Sequence, residues 1–563
     1  MYVCMYVCAV ARDRRMFENV SNWTKLCFIS IRLNAVVLEK LTQRIFNGSL
    51  FNLTSIRTII MDFFVILSIL LVILGIYYLL RPRNPFEVYN LPHKSSFPLL
   101  GSTWESILTR KSFATVVQEI YNLIPDAKYV GLYNRMTPVL MIRDEELIKS
   151  ITIKNFDYFR NHRNFINEQI DSFFSSNLLL LRDDRWRNVR SLFTPAFSSS
   201  KMRSMFQLMS ETAVNMAKYL STLPANENVV EMKDIFTRYA NDVFATCAFG
   251  IVIDSLADRK NKFYTLGREA LDIHSVTILK LIVIKIFPGL ARRFGITLLS
   301  RKVTNFFKQV VSDSIKVREE KGIVRPDFIQ LMMETKGKLG SGKDLTVDDI
   351  TAQAFIFFFG GFETTSGLLC FAAHEVAVNP EVQKRLHAEI DCVLADSNRE
   401  LTFEIFNSRL EYLDAVINET VRMYPIIPIT DRECSKSFEL PPVLSGAKPY
   451  VMNEGSHLWL PIYAIQRDPK YFEKPNTFDP DRFLDKKSNL VNSGVYLPFG
   501  MGPRNCIAKR FALMEAKVAL FHIFARCRLE VCSETTMPME LKTRGVFLTA
   551  KNGFWLRIVP RNI

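Results

Sequence analysis

The residues best suited to chemistry lie near the C-terminus, in Phe499-Gly500-Met501-Gly502-Pro503-Arg504-Asn505-Cys506-Ile507-Ala508. A helical pattern follows at once, from Lys509 through His522. A cysteine in a tight turn before a helix N-terminus meets backbone N–H groups that favour its thiolate. Such a thiolate suits a haem iron, because it pushes electron density onto the metal and favours O–O cleavage over reversible oxygen binding. In that setting Gly502 is expected to turn the backbone sharply and bring it close to the porphyrin. Phe499 is expected to shield the sulfur, and Arg504 to pair with a propionate. The chain has 10 cysteines, and a buried, inert thiol is the reading for all the others. For Cys506 that reading is weak. Composition alone brings Phe, Gly, Arg and Cys to these spacings with odds on the order of one in a thousand.

A second constellation, Gly360-Gly361-Phe362-Glu363-Thr364-Thr365, interrupts a long apolar helix that begins near Ile350. A helix that merely tolerates two glycines gives up about 1 kcal/mol at each relative to Ala. The functional reading explains the pair: without bulky side chains they leave a groove where dioxygen sits. A local widening of the helix would free backbone groups for water there. Glu363 and Thr364 then place an acid and an alcohol beside the groove, able to relay protons to the distal oxygen.

The cysteine loop resembles the haem-binding signature of the cytochrome P-450 superfamily. Its flanks, Tyr496-Leu497-Pro498 and Arg510-Phe511-Ala512-Leu513, resemble the microsomal, drug-metabolising branch. Ala508 stands where the family usually has Gly. The segments Asp157 to Phe165, Asp327 to Met333 and Pro425 to Glu433 resemble insect detoxification members of family nine. The resemblance covers roughly Gly101 to Pro560 together with the hydrophobic run upstream.

It gives meaning to motifs that are weak alone. Glu419 and Arg422 stand one helical turn apart, and Phe478-Asp479-Pro480-Asp481-Arg482-Phe483 resembles the family motif whose arginine joins them. The resemblance implies a buried ionic lock of Glu419, Arg422 and Arg482 beneath the cysteine loop, structural rather than catalytic. Trp186 and Arg190 share one helical face; the family uses such a pair for haem propionates, and Arg432 resembles a further propionate contact. His162 lies where relatives often place an arginine, and a solvated surface histidine is an equal reading. The substrate pocket is expected at Phe359, Ile426, Ile427, Val546 and Phe547.

The elements that must position these residues are mostly helical. Periodicity predicts helices through much of Asn167 to Met423, two strands within Tyr129 to Ile142, and strand and turn over Pro441 to Pro461. A hairpin is expected around Asn552-Gly553 within Val546 to Ile558. The fold class is therefore mainly α with small β-sheets (α+β), one large domain over 101–563. Phe63 to Leu80 carries no charge and just qualifies as a membrane span, and Arg81, Arg83 and Lys94 after it favour a cytoplasmic body. The span is assigned to 61–80. The prolines of 81–100 are expected to form a stiff hinge. Residues 1–60 form a basic leader with Met61 as the expected native start, an organelle-targeting segment being the rival reading. Sequons at Asn22, Asn47 and Asn52 matter only if that leader faces the lumen, and one at Asn418 is taken as chance. Val276 to Leu290 is strongly apolar yet holds Lys280 and Lys285, which suits a core helix or a second membrane contact.

Gly337 to Asp344 imitates a phosphate-binding loop, but Asp344 stands where a magnesium ligand is needed and a helical pattern precedes it. There is neither a dinucleotide fingerprint nor room for a flavin domain, so electrons must come from a separate protein. The chain carries 72 basic and 57 acidic residues, a net charge of +15. A basic docking face of Lys509, Arg510, Lys517, Arg182, Arg185 and Arg187 would account for part of that excess, ordinary solvated charges being the even alternative. Nothing calls for nucleic acid. What the resemblance implies is haem b held by Cys506, and O2 split so that one atom enters a lipophilic substrate, a xenobiotic such as a plant toxin or insecticide. NADPH supplies electrons through a P-450 reductase, with cytochrome b5 as a further donor, at the endoplasmic reticulum membrane. Hydroxylation of an endogenous lipid or hormone competes with this, as does a haem-thiolate sensor without turnover.

Overall fold

The computed structural model describes residues 63–65, 67–68, 71–72, 75, 84–97, 99–164, 166, 168–271, 280–281, 283–285, 287–325, 327–334, 346–396, 401–484 and 490–561. The leader, Met61, its three sequons, the phosphate-loop mimic, most of the anchor and part of Val276 to Leu290 lie outside them. The chain divides into two units, 1–83 and 84–563. The described part of the first is helical, and Phe63, Val65 and Val72 are exposed there.

The second unit is mainly helical with three small sheets. Eight helices carry the account below: α1 Asp183–Phe193, α2 Ser199–Ser221, α3 Met232–Phe249, α4 Arg301–Lys321, α5 Val347–Val378, α6 Pro380–Asp396, α7 Glu411–Met423 and α8 Lys509–Arg526. Helix α5 begins with a capping box in which Thr346 and Asp349 satisfy each other's backbone N–H groups. It is apolar almost all round, and such a helix must be buried. It is long and apolar enough to cross a membrane, but it is the core helix of this unit, with α3 and α4 packed along it. Helix α2 lies along α8, which carries the segment following the cysteine.

The strands are β1 Tyr129–Asn134, β2 Thr137–Ile142, β3 Val229–Glu231, β4 Thr430–Glu433, β5 Phe438–Leu440, β6 Tyr450–Met452, β7 His457–Leu460, β8 Cys527–Glu530 and β9 Trp555–Pro560. One sheet runs β1-β2-β7-β4, with β2 and β7 parallel. A second runs β3-β9-β8, all antiparallel, and β5 pairs with β6. The core has two parts, a large helical cluster and a smaller one around the first sheet.

Two expectations change. The tail does not fold back on itself around Asn552-Gly553: β9 pairs with β8 and β3, and the chain before the turn touches back only through a bridge between Leu541 and Ala550. The glycine turn is real, but the strand after it finds a distant partner. The proline-containing stretch is not free-standing from Asn84 onward. Phe86 and Leu91 are buried, and Lys94 donates its N–H to the Gly131 carbonyl at 2.9 Å.

Candidate functional site

The cysteine loop is built on two glycines in the left-handed region, Gly500 at φ +71° and Gly502 at φ +74°. At Gly502 a side chain is excluded outright: a Cβ would lie 1.9 Å from the Thr152 carbonyl oxygen. The sharp turn expected there is present, but the close approach that demands glycine is to the turn Ser150–Lys154. Cys506 N–H donates to the Phe499 carbonyl at 2.8 Å, closing the loop. The thiol lies deep in the protein, and burial pushes its pKa up against a backbone N–H from Ala508 and the charges of Arg190 and Lys509. Its surface is nonetheless exposed, so the sulfur borders open space inside the molecule.

Helix α5 supplies the other wall. Its two glycines do different things. Gly360 is open, with nothing within 4 Å of an added Cβ, whereas at Gly361 that atom would sit 1.8 Å from the ring of Phe244 on α3. Only the first glycine makes the groove, and the second makes room for Phe244. The helix stays α-helical through this stretch, so the expected widening is absent. Thr364 turns its hydroxyl back to the Gly360 carbonyl at 2.5 Å. Glu363 is ion-paired with Lys233 at 2.7 Å, and the same ammonium donates to Ser366 Oγ at 2.8 Å. Lys233, at the start of α3, was not singled out in the sequence. Nothing local marks it, since 130 residues separate it from Glu363.

The expected pocket wall assembles in part. Phe359 faces Phe547 with ring centroids 6.5 Å apart and Phe174 at 6.1 Å. Ile426 packs against Gly367, and its carbonyl accepts the Leu548 N–H at 2.9 Å, which ties the C-terminal loop to the wall. Ile427 and Val546 are exposed, and no contact places them against that wall.

Cations gather on the cysteine side. Arg504 is buried and stacks over Trp186 at 4.1 Å. Its N–H groups donate to the carbonyls of Arg160, Leu178 and Leu181. Arg190 donates to Asn505 O and Oδ1, both at 2.9 Å, so it grips the cysteine loop itself. Arg432 is 1% exposed and uses one nitrogen on Asp431 O and Thr430 Oγ1, while its Nε is buried without a partner. His162 is no solvated surface residue: Asp431 holds its Nδ1 at 3.0 Å and burial lowers its pKa. Asp431 is held down to about 2 against its own burial, by His162, the Arg163 N–H and Arg432. Burial and the neighbouring Arg432, Arg190 and Arg182 push the Arg504 guanidinium down to about 8. Burial is the larger cause and the crowding of guanidiniums the smaller, and an anion placed among them would relieve the crowding.

The lock forms beneath the loop. Arg422 donates Nε and Nη2 to the two Glu419 oxygens at 2.6 and 2.8 Å, and Arg482 Nε reaches Glu419 at 3.3 Å. Glu419 and Arg422 are 0% exposed. Gln466 links this cluster to the loop: its carbonyl accepts from Arg422, and its side-chain oxygen accepts the Leu497 N–H at 2.8 Å.

The basic face needs correction. Lys517 is buried, donating to Asp414 and the Phe406 carbonyl at 2.8 Å. Arg182 is committed to Glu433, Arg185 to Glu168 and Arg187 to Asp157. Lys509 is half-buried over Phe499, and Arg510 is exposed and bonded to Phe197 O and Ser199. The Asn418 side chain is used inside the protein, accepting from Tyr496 and donating to Asp414 O.

A family model for cytochrome P450 matches residues 92–557. The chain belongs to the cytochrome P450 family. It is 41% identical over 504 residues to cytochrome P450 9e2 of Blattella germanica, covering 84% of this chain and 94% of that one. It is 35% identical over 482 residues to cytochrome P450 9b2 of Drosophila melanogaster, with 84% and 94% covered. Cytochrome P450 6a9 of the same fly is 32% identical over 504 residues, with 88% and 98% covered. The chain is thus a P450 monooxygenase, a haem-thiolate enzyme resembling insect family nine. The residues suit a haem on their own chemistry. A P450 haem b carries two propionates, and the cysteine side offers Arg504, Arg432 and Arg190, which hydrogen-bond no carboxylate among the described residues, an orphaned Arg432 N–H, and an exposed cysteine.

Proposed function

We propose that this P450 oxidises neutral lipophilic molecules, foreign compounds such as plant toxins or insecticides among them. Electrons come from NADPH through a separate reductase, and the chain works at the endoplasmic reticulum membrane with its catalytic unit in the cytoplasm. The observation that carries the substrate reading is the apolar wall next to Gly360, where Phe359 meets Phe547 and Phe174, continued along α5 by Ile426 at Gly367. Such a wall selects by shape and apolar area rather than by one hydrogen-bonded group. The uncharged run Phe63 to Leu80 supports the membrane assignment. Phe287, Leu290 and Phe294, exposed beside Arg292 and Arg293, support a second contact with the bilayer surface.

In this reading Cys506 would hold the haem iron through its sulfur, with the Ala508 N–H and Arg190 countering the burial of its charge. Arg432, His162, Trp186, Arg190 and Arg504 would meet the propionates, with Arg190 also gripping the loop at Asn505 and Arg504 anchoring it to the Arg160, Leu178 and Leu181 carbonyls. When bound, the haem supplies an electron-rich iron that activates O2. Gly360 leaves room for that oxygen. Thr364 would hold a proton at Oγ1 for it, exchanging its bond to the Gly360 carbonyl, and Glu363 would restore that proton under the control of Lys233.

Reconstitution with a P450 reductase, NADPH and a panel of lipophilic probes tests this proposal. NADPH-dependent products from several unrelated apolar probes are expected. Turnover of a single endogenous lipid or hormone and nothing else would overturn the xenobiotic reading. Thr364→Ala should keep NADPH consumption while peroxide replaces product, and unchanged coupling would remove the relay role.

A further inference from the structure

The wall residue Ile426 sits in a short stretch with a proline near each end, Tyr424-Pro425-Ile426-Ile427-Pro428, which follows directly on α7. Proline fixes its own φ and restricts the residue before it, so this stretch is stiff. Helix α5 offers it three footholds. Gly367, Phe371 and Glu375 stand four residues apart, and residues so spaced lie above one another on one helix face. Gly367 gives Ile426 a seat: an added Cβ would lie 3.0 Å from the Ile426 Cδ1. Phe371 stacks on the Tyr424 ring, with centroids 4.3 Å apart and planes at 5°. Glu375 accepts the Tyr424 hydroxyl at 2.6 Å. All five of these side chains and glycine positions are buried.

The stretch is held from its other sides as well. The Leu548 N–H donates to the Ile426 carbonyl at 2.9 Å and the Tyr463 N–H to the Pro428 carbonyl at 3.0 Å. The buried Arg467 guanidinium lies over the rings of Tyr463 at 4.0 Å and Tyr424 at 5.4 Å, and donates to the Met423 carbonyl. These contacts fix different things. The two backbone bonds set distances to the C-terminal loop and to Tyr463, not the position along α5. Stacked rings keep their separation but tolerate sliding in the ring plane. The seat at Gly367 is apolar and has no directional preference. A hydrogen bond holds both distance and angle within a narrow range. Among the described residues, the bond from Tyr424 to Glu375 is the one hydrogen bond between this stretch and α5.

We propose that Glu375 is a positioning residue for substrate selection: by holding the Tyr424 hydroxyl it sets where Ile426 stands along α5, and with it the length of the apolar space. Glu375 lies about four helical turns beyond Gly360, so it acts on the wall from behind and touches no substrate. The stiffness of the proline-containing stretch carries the setting over the two residues from Tyr424 to Ile426. A pocket that selects by shape and apolar area responds to a displacement of its wall. The inference rests on the reading of Ile426 as part of the substrate wall and says what holds that wall in place.

N-alkylimidazoles with tails from butyl to dodecyl test it on the haem-loaded enzyme. The ring nitrogen takes the iron and the tail probes the wall, and binding is read from the Soret shift without turnover. Tyr424→Phe keeps the ring and its stack but loses the bond. At equal haem content it should bind the long-tailed members several-fold more weakly and bind unsubstituted imidazole like the wild type. Glu375→Gln keeps an oxygen for the Tyr424 hydroxyl and should keep the wild-type dependence on tail length. A wild-type dependence in Tyr424→Phe, equal weakening of imidazole and every tail, or a Glu375→Gln variant altered as much as Tyr424→Phe would overturn the proposal. If Tyr424→Phe takes up no haem, Glu375→Leu removes the same bond from the α5 side and is read in the same way. Ile426→Ala separates the two readings. If it leaves the tail dependence unchanged, Ile426 is not part of the wall. If it changes that dependence while Tyr424→Phe does not, the positioning role of Glu375 falls alone.

Discussion

The lock and the cysteine-side cluster are both buried, both rich in arginine, and opposite in design. In the lock both guanidiniums bond to Glu419, and a carboxylate that takes hydrogen bonds from two arginines and the Asp479 N–H is fully used. On the cysteine side, among the described residues, Arg504, Arg432 and Arg190 hydrogen-bond to carbonyls, an amide and a hydroxyl, and Arg432 feels Asp431 only through space. The nearby carboxylates are spent elsewhere, Asp431 on His162 and the Arg163 N–H, Glu433 on Arg182. A closed cluster holds the fold, whereas one left short of anions is a binding surface. Composition does not distinguish them, but their partners do.

The largest effect should come from breaking the closed cluster. Arg422→Ala leaves Glu419 buried with only Arg482 beside it, and losing one partner of a buried pair costs about 3–5 kcal/mol. Little folded, haem-bound protein is expected, read as loss of the reduced carbon-monoxide band. A variant that folds and loads normally would mean that the lock is dispensable. Arg432→Leu should act differently. It removes a buried cation whose hydrogen bonds go only to a carbonyl and a hydroxyl, so no buried carboxylate loses a hydrogen-bond partner and the fold should survive. Haem transfer to an apoprotein acceptor should be several-fold faster, and wild-type retention would exclude Arg432 from propionate binding. A smaller effect is expected at Lys233→Met. Freed of its ion pair, Glu363 should change the pH profile of coupling while substrate affinity stays as it is; an unmoved profile would leave Lys233 a structural cation.

How much of this was legible in the sequence depended on distance along the chain. The cysteine loop lies within ten residues, so type and spacing carried it, whereas Glu419 and Arg422, one helical turn apart, were weak alone and took their meaning from the resemblance of Phe478 to Phe483 to a family motif. The two sheet strands of Tyr129 to Ile142 and the apolar course of α5 follow from local periodicity in the same way. What failed was long-range. Gly361 reads like Gly360 until Phe244 arrives from α3. Lys517 reads as surface until Asp414 and the Phe406 carbonyl close over it, and the turn at Asn552-Gly553 reads as a hairpin until β8 and β3 take the strand. The orphaned Nε of Arg432 has no sequence signature, because an unmet partner is a property of packing.

The comparison also bears on acid sensitivity, with a smaller effect. Burial lowers His162 in the cation-rich cluster, and lowers His374 to about 4 and His522 to about 3 outside both regions. An imidazole kept neutral in the folded protein but free to charge near pH 6.5 when unfolded makes the unfolded state bind more protons. Stability should therefore be complete above about pH 6.5 and fall as the pH drops toward 4. Thermal midpoints of the holoenzyme between pH 7 and pH 5 would show the decline. His162→Gln should flatten the slope modestly, since it removes one of these groups and leaves His374 and His522, with His387 and His457, which burial also lowers. If the slope is unchanged, His162 is charged in the folded protein, and Asp431 is then its counter-ion. In that case the cluster would have one cation closed off as in the lock, leaving the surplus to Arg504, Arg432 and Arg190 alone.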